Sequence, residues 1–322
     1  MKRQKIDGSL NKNPRRVGTL AIQILALLLS VALFHHIDAH DYFWVSVKDC
    51  GHVIVFFQGC LLALSLLTPW IAAHTAKVWV VALACFLLGL VIELVQPAFG
   101  RNASFLDAWY NLLGVSSAAL LFLQHRQSQH RKRLLAIAAI VFAAGFIQPA
   151  LYSGEYFSRA ERLPQLVDFT SPWHRLYWQA NGNSHGSISS PPSQARAAHN
   201  KALKLDFLGG QYPGVRLFDF WPDWQSGDSL TATLWLAGNT PRTLHVRMHD
   251  REHKQEYRDR YNRTFTLHPG LNILSIALTD IQSAPETRKM DLSKMEEIGL
   301  FTVQPERPMQ IYLMALRLEE PN

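Results

Sequence analysis

Apolar positions follow two different rhythms along this chain. Between residues 17 and 151 they form five long runs, at 17–37, 51–71, 78–96, 104–123 and 134–151. Each is close to the roughly 20 residues that carry a helix across a bilayer core. Charge, proline or glycine flanks every run, so the pattern predicts five transmembrane helices. After residue 151 the long runs stop, and short segments of alternating character replace them. "SLTATLWLAG" sets Leu230, Ala232, Leu234 and Leu236 on one face of a strand, and "TLHVRMHD" does the same with Leu244, Val246 and Met248. "RTFTLHPG" and "LNILSIAL" predict a hairpin turned at Pro269-Gly270. "EIGLFTV" and "QIYLMALRLE" give further strands, "DLSKM" a helical turn, and "LPQLVDF" and "HRLYWQA" look strand-like. The Gly-, Ser- and Pro-rich "NGNSHGSISSPPSQ" reads as a loop inside this domain.

Many short strands separated by turn signals predict a β-sandwich, specifically a jelly roll. The expected architecture is therefore a membrane α-helical bundle of about five transmembrane helices followed by an all-β sandwich. Its parts are a basic tail over residues 1–16, a transmembrane domain over 17–151, a connector over 152–163 and the sandwich over 164–322.

Charge adds an orientation. The net charge is +7, but residues 1–151 hold 13 Lys and Arg against 6 Asp and Glu, while the remainder is balanced at 19 against 19. The excess thus belongs to the membrane half, which argues against a nucleic-acid partner. It clusters in the tail before the first run and in the loop after the fourth, two segments that share a side if the helices alternate. By the positive-inside rule that side is the cytoplasm, so an odd number of crossings delivers the sandwich to the opposite, outer side of the membrane. A cleaved signal peptide fits the first run less well, because the run is long and no small-x-small cleavage site follows. Cys50, Cys60 and Cys85 all fall in or beside the apolar runs, leaving the outer domain without a disulfide.

This topology collects polar residues at one depth. Lys48, Asp49 and His52 open the second predicted helix, Glu93 and Gln96 end the third, and Ser104, Asp107 and Asn111 begin the fourth, with Arg101 in the connection between. Their spacings of three and four put each set on one helix face near the outer leaflet. Ionisable groups at membrane depth are costly and mark functional sites unless they pair structurally. The structural alternative is specific: Ser104 as a helix cap over Asp107, Arg101 paired with Glu93, and Asn111 joining helices. If the cluster is catalytic, Glu93 or Asp107 supplies the acid or base, His52 shuttles the proton, and Arg101 or Lys48 holds an anion.

The stretch from about Lys48 to Gly114 resembles the VanZ-like membrane proteins of bacteria. Glu93, Gln96, Arg101, Ser104, Asp107, Asn111 and Gly114 match that pattern in order, and His52 matches its histidine. Lys48-Asp49 stands where the pattern has Asp-Lys, which leaves any fixed role for either residue open. The resemblance covers roughly residues 15–151. It implies a cell-envelope protein of a family linked to glycopeptide resistance, with no settled reaction and no named substrate.

In the sandwich, "QYPGVRLFDFWPDW" offers Tyr212, Trp221 and Trp224 to stack on sugar rings and Arg216, Asp219 and Asp223 to bind hydroxyls. The half from about Pro164 onward resembles carbohydrate-binding jelly-roll modules of the galactose-binding type, on "YPGV", "DW", "HDREH" and "DRYNRTFTLHPGLN", which implies binding more than catalysis. "RMHDREHKQEYRDRYNR" suggests a metal site only through His249 and His253, since His245 and His249 lie about 13 Å apart along a strand; a polar strand face and charged loop explain it better. No Gly-rich phosphate loop, zinc signature or nucleophile elbow is present, and the sequence calls for no cofactor and no metal. The expected partners are membrane lipids and a cell-wall glycan or lipid-linked precursor. The competing expectation is a non-catalytic anchored carbohydrate-binding or sequestering protein; transport is disfavoured because no internal repeat is visible.

Overall fold

The computed structural model describes residues 14–72, 74–99, 104–195 and 200–320. The chain divides into two compact units, Met1–Ser153 and Gly154–Asn322.

The first unit is helical. Its helices are α1 (Pro14–His35), α2 (Tyr42–Leu66), the single turn α3 (Thr68–Ile71), α4 (Ala76–Val95), α5 (Phe105–Gln124), α6 (Arg131–Ala144) and α7 (Ile147–Ser158), the last crossing into the second unit. Four helices are long and apolar enough to cross a membrane, and α6 with the helix after it forms a fifth candidate bent by 45°. The fifth predicted run is thus a broken helix. Its break falls at Gly145, where a Cβ would come within 2.5 Å of Val53 and whose carbonyl accepts from the Cys50 thiol at 2.9 Å. Large apolar side chains such as Leu28, Leu94 and Ile140 are exposed, as surfaces facing lipid are.

The second helix starts nine residues before the predicted run. Asp41 caps it by accepting from the Trp44 amide at 3.0 Å, so Lys48, Asp49 and His52 lie inside α2 rather than at its start. The apolar window missed Tyr42-Phe43-Trp44, amphipathic residues that suit an interface.

The second unit is antiparallel β. Its strands are β1 (Gln165–Val167), β2 (Trp178–Ser189), β3 (Ala202–Leu217), β4 (Ser229–Leu236), β5 (Arg242–Asp250), β6 (Tyr261–Leu267), β7 (Gly270–Ala277), β8 (Met295–Phe301) and β9 (Met309–Glu319). They run in the order β6-β5-β8-β3-β9-β4-β7, with β1 added to β9 and β2 to β3. The long strand β3 joins the two halves of this path. Its first part, Leu203 to Phe207, pairs with β9, and its last part, Gly214 to Leu217, pairs with β8. Gly209 and Gly210 lie between, at φ +128° and +93°, backbone that glycine alone adopts without strain. The inner faces of both halves, including Leu234 and Leu313 from one and Val246 and Leu300 from the other, meet in one core. This is the sandwich that the alternating pattern predicts.

Local expectations fail in four places. The Gly- and Ser-rich segment predicted as a loop is most of β2, paired to β3 along its length; a Cβ at Gly186 would collide with the Trp178 ring, so packing demands the glycine that mimicked a loop. "HRLYWQA" is strand only in its last three residues, Trp178 to Ala180 at the start of β2; its first three belong to a 3-10 turn over Pro172–Leu176. "DLSKM" is not helical: the Asp291 carboxylate accepts from the Ser293 amide and hydroxyl at 3.0 and 2.6 Å, closing a tight turn, while the short helix α8 lies at Leu278–Gln282. The predicted hairpin does not form. β6 pairs with β5 and β7 with β4, at opposite ends of the strand order. Pro269-Gly270 is a corner, held by the Asn272 side chain, which accepts from the His268 amide and donates to the His268 and Gly270 carbonyls.

Candidate functional site

Three helices bring the membrane cluster together. His52 on α2 lies between the two carboxylates, with Nδ1 3.9 Å from Glu93 Oε1 on α4 and Nε2 3.8 Å from Asp107 Oδ2 on α5. Both distances exceed hydrogen-bond reach. The bond the ring does make is to Asn111 Oδ1, at 3.0 Å from Nδ1. Gln96 Nε2 donates to Glu93 Oε1 at 3.3 Å, the Ser104 amide donates to Glu93 Oε2 at 3.5 Å, and Ser104 Oγ caps α5 by accepting from the Asp107 amide. Glu93, Gln96, Asp107 and Asn111 are all buried.

Glycines set this spacing. A Cβ at Gly114 would lie 2.5 Å from the Val53 carbonyl oxygen, and one at Gly89 would lie 2.8 Å from the Phe56 ring and 2.9 Å from Asn111 Nδ2. Helices that cross at glycine approach backbone to backbone, and His52, one turn before Phe56, is thereby pressed against Asn111. Ligand atoms of His52, Glu93 and Asp107 all fall within 4.8 Å of one another, a grouping able to hold a metal ion. Of the other predicted members, Lys48 donates to the Ile37 carbonyl at 3.3 Å, away from the carboxylates. Asp49 is half-buried on α2, and Arg101 lies outside the described residues.

A second site occupies the outer face of the sandwich layer β6-β5-β8-β3. Antiparallel register aligns Thr264, His245, Phe301, Gly214 and Asn181 in one row and Asn262, Arg247, Gly299 and Arg216 in the next. Gly214 and Gly299 carry no side chain, so the rows form a trough of about 730 Å³. Its walls are aromatic and basic. The His245 ring stacks on Phe301 at 5.2 Å, Tyr212 meets Phe301 edge-on at 6.3 Å, and Tyr257, Arg260 and Arg263 close one side. Burial lowers the His245 pKa below its usual value. One row further along the same face Glu297 is buried and accepts from Arg247 at 2.7 Å and Arg216 at 2.6 Å. Burial alone would raise the Glu297 pKa, but the nearby His249 imidazole and the two guanidiniums outweigh it and hold the carboxyl at about 2.

Among the predicted sugar-contacting residues, Tyr212 lines this trough and Arg216 borders it, while four lie elsewhere. Trp224 is fully buried in the core and offers no stacking face. Trp221 packs against the same core, Asp219 pairs with Arg159 at 2.9 Å, and Asp223 accepts from the Gln225 amide. The residues missed by the sequence reading are His245, Arg247 and Phe301, whose outward positions on alternating strands read only as a polar face. The His249 and His253 rings stack at 4.5 Å, with each Nδ1 against a backbone carbonyl. The charged loop around them is structural: Arg288 bridges Asp250 and Asp259 at 2.5 and 2.6 Å.

No family model matches this chain, and no curated protein matches it. Solved structures similar to its C-terminal half include an exo-β-agarase, at 16% identity and a TM-score of 0.40, with 49% of this chain and 25% of the agarase covered. The chain thus spans a quarter of that enzyme. Others are a family 11 carbohydrate-binding module from Clostridium thermocellum in complex with a β-1,3-1,4-mixed-linked tetrasaccharide (10% identity, TM-score 0.37, 49% and 96% covered) and a carbohydrate-binding module specific for non-crystalline cellulose (12%, 0.35, 49% and 95%).

Proposed function

We propose that this chain is a membrane-anchored glycan-binding protein of the bacterial cell envelope whose sandwich trough takes an acidic sugar chain. The observation that carries this is the trough itself: a groove of about 730 Å³ with Gly299 in its lining, Tyr212, Phe301 and His245 able to contact sugar rings, and Arg247, Arg260 and Arg263 in its walls. Aromatic faces bury the apolar side of a pyranose ring, and guanidiniums favour carboxylate or phosphate substituents through bidentate bonds. A cell-wall glycan or its lipid-linked precursor has both features. With the basic tail and the loop after α5 in the cytoplasm, the sandwich faces the wall. The VanZ-like motif is consistent with an envelope role and assigns no reaction.

The test is direct binding by the full-length chain in nanodiscs. Soluble acidic cell-wall fragments should bind in a salt-sensitive manner and neutral β-glucan oligosaccharides more weakly; absence of binding to either, or binding indifferent to Tyr212→Ala and Phe301→Ala, overturns the assignment. A reporter fused after Asn322 should read as exported, and a cytoplasmic signal refutes the topology.

A further inference from the structure

We infer that His52, Glu93 and Asp107 form a binding site for one divalent transition-metal ion inside the helical bundle. The sequence carries no zinc signature because the three ligands come from three different helices, separated by tens of residues, and converge only in the fold.

The first argument is the imidazole's hydrogen bond. His52 Nδ1 lies 3.0 Å from Asn111 Oδ1; in the tautomer with its proton on Nδ1 the ring donates to that oxygen, and Nε2, 3.8 Å from Asp107 Oδ2, keeps its lone pair for an ion. A metal-binding histidine is held in this way, with its other ring N–H given to an oxygen that fixes tautomer and orientation. Asn111 is fully buried, and nothing in its position serves solvent.

The second argument concerns the carboxylates. Glu93 and Asp107 are 5% and 8% exposed, and among the described residues no Lys or Arg pairs with either. Their oxygens lie too far from the ring nitrogens to share a proton directly, yet close enough to share an ion: donors at about 2.0–2.2 Å from one centre sit up to roughly 4.4 Å apart, a few tenths inside the 4.8 Å span found here. Small side-chain rotations close that gap. Two carboxylates and a neutral imidazole around a divalent cation sum to zero charge, which removes much of the cost of placing anions at membrane depth.

The third argument is the surrounding shell. The Gln96 amide nitrogen donates to Glu93 Oε1, as outer-shell groups do for ligating carboxylates, and Gln96 Oε1 is buried with no donor among the described residues. One nitrogen and two oxygen donors suit Zn²⁺, Mn²⁺ or Fe²⁺ better than the all-oxygen ions Mg²⁺ and Ca²⁺. Three protein ligands leave coordination positions open for water or an anionic ligand.

The experiment is metal retention by the full-length, tag-free chain in detergent. After incubation with Zn²⁺ or Mn²⁺ and desalting, elemental analysis should find one equivalent per chain; Glu93→Gln and Asp107→Asn should each lower affinity at least tenfold, and Asn111→Ala about 10- to 100-fold. Retention no greater than in the His52→Ala, Glu93→Gln, Asp107→Asn triple variant overturns the proposal. If the variants fail to fold, the wild type alone decides. Zn²⁺ should raise its melting temperature in proportion to the logarithm of free metal, and a chelator should reverse this; a melting temperature unmoved by Zn²⁺ and Mn²⁺ is equally fatal.

Discussion

His52 Nδ1 lies 3.0 Å from Asn111 Oδ1, a contact between two helices made by residues 59 apart in the chain. It exists because Gly114, one turn beyond Asn111, lets α5 touch the backbone of α2 at the Val53 carbonyl. Gly114→Ala places a methyl group 2.5 Å from that oxygen, against backbone that cannot rotate away. The expected cost is about 1–3 kcal/mol, read as a lower midpoint in detergent unfolding, together with weaker retention of metal. Unchanged stability in this variant means the two helices do not meet as described.

Binding and stability should separate in the sandwich. Phe301→Ala alters the trough without touching the buried Glu297 pairing and should weaken glycan binding about tenfold, near 1.4 kcal/mol. Trp224→Ala acts on the core instead and should cost about 3–5 kcal/mol of stability. Calorimetric binding and thermal melts of the same proteins distinguish the two effects.

Gly299→Ala tests the floor of the trough. The new methyl group meets Arg247 Cγ and Nε at 2.6 Å, so the guanidinium must swing away from Glu297. Glycan affinity should fall severalfold and the melting temperature should fall with it, because the displaced guanidinium leaves the buried Glu297 carboxylate paired to Arg216 alone.

Glu297 predicts a pH dependence. Its folded pKa, about 2, lies below the ordinary value of 4.5. Stability from its pairing is complete above roughly pH 5 and is lost as pH falls from there toward 2. Glu297→Gln should remove about 2 kcal/mol at pH 7 and flatten the acid limb of the stability curve over that window. Denaturant unfolding at a series of pH values measures both.

A last prediction separates structural from ligand-binding charge. Asp250 is fully buried and accepts from two Arg288 nitrogens at 2.5 and 2.7 Å and from the Asp291 amide at 2.7 Å. Asp250→Ala strands the guanidinium and should destabilise the domain by about 3–5 kcal/mol, seen by chemical denaturation. Retained metal should be unchanged.

The amino-acid sequence by itself determines the two classes of structure in this protein. Runs near 20 residues can satisfy their backbone in lipid only as helices, and strict alternation along Leu230 to Leu236 or Leu244 to Met248 fits only a strand with one buried face. It also marks His52, Glu93, Gln96, Asp107 and Asn111, because charged and amide side chains stand out against apolar neighbours. What it leaves open is who meets whom. Strand alternation is a local property and carries no label for the partner, so "RTFTLHPGLNILSIAL" reads as a hairpin although its strands end on opposite edges. The glycines in "NGNSHGSISS" resemble a loop until the Trp178 ring above Gly186 accounts for one of them. The trough residues His245, Arg247 and Phe301 are ordinary outward positions on separate strands, and only register across β6, β5, β8 and β3 aligns them into a surface. The same holds in the bundle, where helical spacing groups residues on one helix. Tertiary packing at Gly89 and Gly114 decides that three helices close around a single point, because only there can the backbones come near enough for their short polar side chains to meet.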